Sequence, residues 1–142
     1  MKIVRKEDSS ISKKAFISLG KIYPIDFIVL FGSHAKGKAK KSSDIDIGIY
    51  LRNEISSRKV RCLMEDIIHI FKSDKIDIVI LNRASPLLLF EIAKNNKLLY
   101  ERSKDLFLNF KLLSMKRYWE YSKFRKFREN YLFLKEKRLK FV

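Results

Sequence analysis

Two short segments constrain this chain more than anything else in it. Phe27-Ile-Val-Leu-Phe31 is a continuous apolar run of strand formers that stops at Gly32-Ser33. A run of this kind, bounded by glycine, reads as a buried central strand. Asp44-Ile-Asp-Ile-Gly-Ile-Tyr-Leu51 then alternates strictly. Ile45, Ile47, Ile49 and Leu51 leave one face of that strand, and Asp44, Asp46, Gly48 and Tyr50 leave the other. The isoleucine face must be the one packed on helices, so two carboxylates stand on the opposite face. A third strand, Ile76 to Leu81, repeats the alternation with Asp77 in the polar register. Asp77 joins the face of Asp44 and Asp46 if the two strands are neighbours.

Helical segments surround these strands. Ser9 to Tyr23 carries Ile11, Ala15, Phe16, Leu19 and Ile22 at helical spacing, with Ser9 or Ser10 as N-cap and Pro24 as stop. Residues 57–72 gather Val60, Leu63, Met64, Ile67, Ile68 and Phe71 on one face. Cys62 in that helix is expected as a small core or half-buried residue, His69 as structural, and Glu65 and Asp66 as the polar face. Residues 34–43 have almost no apolar content and read as a loop. Pro86 marks the first turn of a helix reaching about Lys94, Asn95-Asn96 is a turn, and Lys97 to Tyr100 a short strand. The class is α/β (α+β), a small mixed sheet flanked by helices.

From Ser103 to about Lys140 there is neither glycine nor proline. Leu108, Leu112, Met115 and Trp119, then Phe124, Phe127, Tyr131 and Leu134, have helical spacing. One helix of about 36 residues would span roughly 54 Å, longer than so small a domain is wide. Either it breaks in two, or its far end packs on something outside. Its aromatics are interleaved with Lys and Arg, a mixture that suits a protein interface or single-stranded nucleic acid. The length of the stripe favours the interface. Residues 1–102 therefore read as a core, and 103–142 as a helical extension packing on it and on a partner, one domain overall.

Composition narrows the classes further. The 142 residues fit one domain, 46% hydrophobic content supports a packed core, and four Gly and two Pro exclude collagen-like chains. The longest mainly apolar stretch, Ile25 to Ser33, is interrupted by Asp26 and falls far below the ~20 residues of a membrane span. Met1 to Asp8 is charged, with no apolar stretch behind it, and does not read as a signal peptide. Cys62 is the single cysteine, so there is no internal disulfide, and no Cys/His cluster suits zinc. A cytoplasmic, reducing setting is expected. Lys plus Arg number 32 against 16 Asp plus Glu, a net charge of +16. Such a surface attracts polyanions or an acidic protein.

Three carboxylates converging on one side of a sheet repel each other. A hard divalent cation among them relieves that repulsion. Magnesium takes oxygen ligands and is normally shared with phosphate oxygens. Two such ions about 3.5–4 Å apart suit in-line nucleotidyl transfer. Gly32-Ser33 at a strand end lets backbone N–H groups and a hydroxyl approach a triphosphate. Lys36, Lys38, Lys40 and Lys41 surround the same spot. No Gly-Lys-Ser/Thr follows at P-loop spacing.

Gly32-Ser33, ten intervening residues, Asp44-x-Asp46 and the distal strand residue Asp77 resemble the signature of the DNA polymerase β-type nucleotidyltransferase superfamily. Phe31-Gly-Ser-His-Ala-Lys-Gly37 and Ser43-Asp-Ile-Asp-Ile47, in so short a chain, are similar to the minimal nucleotidyltransferases, the MntA-type antitoxins that pair with HEPN-domain toxins. The resemblance covers roughly residues 10–100. It implies a polymerase β-like fold, two Mg²⁺ ions held by Asp44, Asp46 and Asp77, and ATP as substrate. Asp77 would help activate the incoming hydroxyl, and Gly32, Ser33, Lys36 and Ser43 would hold the nucleotide. The implied reaction moves AMP to a tyrosine hydroxyl of a HEPN-type toxin and silences it. His34 stands where relatives often have Arg. Two alternatives stay open: transfer to RNA or a small molecule, and a non-catalytic basic module that masks its partner.

Overall fold

The computed structural model describes residues 8–32, 44–73 and 75–140. In chain order these form α1 (Asp8–Ile22), β1 (Ile25–Phe31), β2 (Ile45–Leu51), α2 (Ser57–Phe71), β3 (Ile76–Ile80), a 3₁₀ turn (Leu81–Arg83), α3 (Pro86–Lys94), β4 (Lys97–Glu101) and α4 (Leu106–Lys140). The strands make one mixed sheet in the order β3-β2-β1-β4. β1 is antiparallel to both β2 and β4, and β2 is parallel to β3.

Local chemistry sets most boundaries. Ser56 caps α2 by accepting from Lys59 N–H at 3.2 Å, and Lys72 ends it in the left-handed conformation. Ser85 accepts from Leu88 N–H at 3.2 Å, with Pro86 in the first turn of α3. α1 is described from Asp8 onward, and the serines expected to cap it, Ser9 and Ser10, lie inside the helix. Cys62 is exposed rather than half-buried. It falls outside the buried stripe of α2, which is defined by Leu63 and Ile67.

The central strand β1 is buried from Ile25 to Leu30, as its unbroken apolar run requires. On one face of the sheet, Ile28, Leu30, Ile45, Ile47 and Ile49 pack under Phe16 and Leu19 of α1 and Leu63 and Ile67 of α2. The sequence places helices on this face only. The structure also covers one end of the other face, where Phe27, Val29 and Leu81 meet Leu89 and Ile92 of α3 and Phe107 of α4. Gly48 makes this possible: a Cβ there would press on the Leu81 side chain at 3.0 Å and on Val29 at 3.2 Å.

α4 is anchored at its start. The Glu101 carboxylate accepts from Phe107 N–H at 2.9 Å. Ser114 is buried, and Tyr118 stacks on Phe90 of α3 with ring centroids 4.0 Å apart. The helix then continues unbroken through 35 residues, about 52 Å at 1.5 Å per residue. Every residue from Lys123 to Arg138 is exposed. Of the two outcomes the sequence allows, the helix does not break, and its far end packs on nothing in the described residues. Among these, no helix is long and apolar enough to cross a membrane.

A part-buried polar contact ties the residue after α1 to α2. Tyr23, 7% exposed, donates its hydroxyl to Asp66 Oδ2 at 2.8 Å. Burial, and then this hydrogen bond, push the Tyr23 phenol up to about 12. An unfolded tyrosine titrates near 10. The stabilisation is therefore complete below pH 10 and is lost as pH rises through about 12. Tyr23→Phe is expected to lower stability at neutral pH by about 1 kcal/mol. That deficit should shrink as pH rises above 10 in a urea-denaturation series, whereas a deficit constant with pH would contradict the assignment.

Candidate active site

The acidic residues owe their positions to the apolar ones beside them. Ile45, Ile47 and Ile49 are buried at 1%, 0% and 0% exposure. The alternation therefore turns Asp46 to the opposite face. Ile45 N–H donates to Lys75 C=O at 2.9 Å and opens the parallel β2–β3 ladder. In that ladder Asp46 pairs with Asp77, while on the other side of β2, Phe31 of β1 pairs with Asp46. Phe31, Asp46 and Asp77 thus form one row across three strands whose backbones lie about 4.8 Å apart.

The three carboxylates differ in setting. Asp44 is exposed and immediately precedes β2, rather than opening it as the alternation suggests. Asp46 is half-buried, and Asp77 is exposed on the edge strand β3. Gly32 follows Phe31 with φ +72°, a conformation that favours glycine. A Cβ at Gly32 would collide with the Asp46 carboxylate. The chain leaving β1 therefore passes so close to the acidic row that a side chain there would push the Asp46 carboxylate aside. Ser33, Lys36 and Ser43 lie outside the described residues, as do His34, Lys38, Lys40 and Lys41.

Adjacent like charges in a row are destabilising, and a cation between them reverses the sign. The donors are all carboxylate oxygens, which suit hard ions and not the thiolate- or imidazole-seeking metals. Among the described residues, no three acidic, imidazole or thiol groups are gathered into a finished metal cage. Magnesium rarely uses such a cage. It takes one or two carboxylates and completes its shell with substrate phosphates and water. A pair of in-register aspartates, with the Gly32 backbone pressed against one of them, fits that mode.

Sequence reading missed what closes the other end of the sheet. Asn82 accepts from Leu51 N–H at 2.9 Å and donates to Leu51 C=O at 2.8 Å, fastening the 3₁₀ turn to the end of β2. A hollow of about 490 Å³, lined by Leu51, Ile55, Val60, Met64 and Ile80 among others, opens at this end, away from the aspartates. Asp26, which only interrupts an apolar run in the sequence, accepts from Arg102 Nε at 2.9 Å beside β4. No local pattern announces either contact, because the partners lie 31 and 76 residues apart.

A family model described as polymerase beta, nucleotidyltransferase matches residues 15–105. The protein adenylyltransferase MntA of Aphanizomenon flos-aquae (strain 2012/KM1/D3) is 35% identical over 102 residues, which are 65% of this chain and 67% of that protein. A crystal structure of a toxin–antitoxin with AMP-PNP superposes with a TM-score of 0.66 at 23% identity, over 84% of this chain and 97% of the matched one. A tri-AMPylated Shewanella oneidensis HEPN toxin in complex with MNT antitoxin gives a TM-score of 0.62 at 21% identity, over 87% and 98%. At these identities the two structures speak for the fold. The match to the family model spans the Gly32 turn and all three aspartates, and by it the chain belongs to the polymerase β nucleotidyltransferase family.

Proposed function

We propose that this protein transfers AMP from ATP to a tyrosine hydroxyl of a partner HEPN-domain toxin and so acts as its antitoxin. The observation that carries the reading is the Asp46–Asp77 row pressed against the Gly32 turn. It is supported by 35% identity to a protein adenylyltransferase.

In this reading Gly32 and Ser33 hold the triphosphate through backbone N–H groups and a hydroxyl, with Lys36 and Ser43 beside them. Asp44, Asp46 and Asp77 would hold two magnesium ions together with phosphate oxygens. Bound there, magnesium supplies neutralisation of the charge that builds on the triphosphate. The acceptor's oxygen forms a bond to the α-phosphorus as the bond to the β-phosphate oxygen breaks, and pyrophosphate leaves. Asp77, exposed at the sheet edge, takes up the hydroxyl proton and returns it to solvent. The core of residues 1–102 holds the nucleotide, and the extension of residues 103–142 meets the partner.

The test mixes the protein with labelled ATP, magnesium, the HEPN-domain partner and RNA in one reaction. Label should appear on the partner and disappear on chelation. Asp46→Asn should reduce transfer by about a thousandfold, the scale of several kcal/mol of lost charge stabilisation. Label on RNA alone would replace the acceptor, a reading the +16 charge favours second. Toxin neutralisation that survives Asp44→Asn with Asp46→Asn would mean masking instead of catalysis.

The close approach of Gly32 to Asp46 has a stability signature as well. Gly32→Ala should cost about 1–2 kcal/mol for the left-handed backbone alone. Combined with Asp46→Ala, which removes the colliding carboxylate, the cost should be less than additive in a urea-denaturation cycle. Strict additivity would show that the two residues do not touch.

A further inference from the structure

The two halves of α4 present different sides. At about 100° per residue, the core-facing residues Phe107, Phe110, Ser114 and Tyr118 occupy one sector of the helix. Phe124, Phe127, Tyr131 and Leu134 occupy another, about a third of a turn away. The distal stripe is therefore not a continuation of the face that packs on α3. Its four side chains are 63%, 70%, 58% and 62% exposed.

Charge is sorted around this stripe. Residues 123–138 hold seven lysines and arginines against two glutamates. On the same helical count, Lys123, Arg128, Lys135 and Arg138 border or lie within the stripe. Glu129 and Glu136 fall on roughly the opposite side, where Glu129 pairs with Arg125 at 3.9 Å. A row of apolar knobs edged by cations and by no carboxylate suits an apolar row edged by carboxylates.

From this sorting we infer that residues 123–138 of α4 dock an acidic, helix-surfaced face of the partner protein. The partner's identity rests on the function proposed above. The 3-4-3 spacing of Phe124, Phe127, Tyr131 and Leu134 is that of a helix–helix seam. A second copy of this chain would bring two cation-edged stripes together, and like charges at close quarters oppose that. Leu134 offers no ring for a base to stack on, and the helical spacing of the row is a protein-docking pattern.

The full chain, its Phe127→Glu/Tyr131→Glu variant and its Asp44→Asn/Asp46→Asn variant are each titrated with the HEPN-domain protein by calorimetry. Loss of two central anchors should weaken binding by about 100-fold or more. The melting temperature should not change, because both side chains are exposed. Asp44→Asn/Asp46→Asn should bind like the wild type. Lys123→Glu/Arg128→Glu should slow association and flatten its salt dependence. Wild-type affinity in Phe127→Glu/Tyr131→Glu, or no binding by the wild type, overturns the dock. Label transfer that persists at wild-type affinity in that variant overturns the dock and leaves the reaction standing. Stripe-dependent binding without label transfer by the wild type keeps the dock and removes the reaction. Dimerisation, or binding of a single-stranded RNA oligonucleotide, that is lost in the stripe variant overturns the acidic protein as occupant.

Discussion

The in-register pairing of Asp46 with Asp77 is the constraint on which the site depends. Two carboxylates side by side oppose it, but only by about 1 kcal/mol near solvent. On the other face, Ile45, Ile47 and Ile49 are buried almost completely, and each contributes about 1.5–3 kcal/mol. Slipping β2 by one residue would turn those isoleucines to water and the aspartates into the core. Burial therefore outweighs the repulsion severalfold. The acids are held in place by the side chains they alternate with, and the repulsion left over is what a cation can relieve.

A sheet buried on both faces along its whole length would have no room for substrate. Here the second face is divided. Leu81 lies over Gly48, Phe27 stacks on Tyr50 at 5.3 Å, and α3 and the start of α4 close that end. The division falls between Gly48 and Asp46, two residues apart on one strand. The Asp26–Arg102 pair and the Glu101 carboxylate at the head of α4 set where the cover begins. A short chain thus obtains a packed core and an open acidic end from the same four strands.

Most of this was legible in the sequence because it is written in short-range patterns. The period-two alternation of 44–51 placed Asp46 on the right face. The Gly32 stop marked the end of β1, and Ser-Pro at 85–86 the start of α3. The sharing of one row by Asp46 and Asp77 could be read only conditionally, since strand order is a long-range property. That α3 and α4 return to the acidic face could not be read at all. The contacts responsible, Phe27 with Phe107 and Phe110, join residues 80 or more apart in the chain. The exposure of Cys62 was misjudged because composition sets its usual burial, while the side of α2 it occupies is decided by what α2 packs on.

The distal half of α4 poses a different physical question, namely why it is a helix there at all. Among the described residues no tertiary packing supports residues 123–138, and an isolated helix of this length is marginal in water. Two features answer it. The segment grows from a nucleus already fixed by the Phe90–Tyr118 stack, so the costly first turn is not repeated. Its own side chains then reinforce it one turn apart, with Lys123 over Trp119, Arg125 beside Glu129 and Lys137 over Phe133. Pairs of this kind add a few tenths of a kcal/mol each. That is little, but enough to tip a segment that contains no glycine or proline. The outcome is an apolar stripe held in shape before anything meets it. Its helical form then need not be won from binding energy, so more of the contact energy appears as affinity.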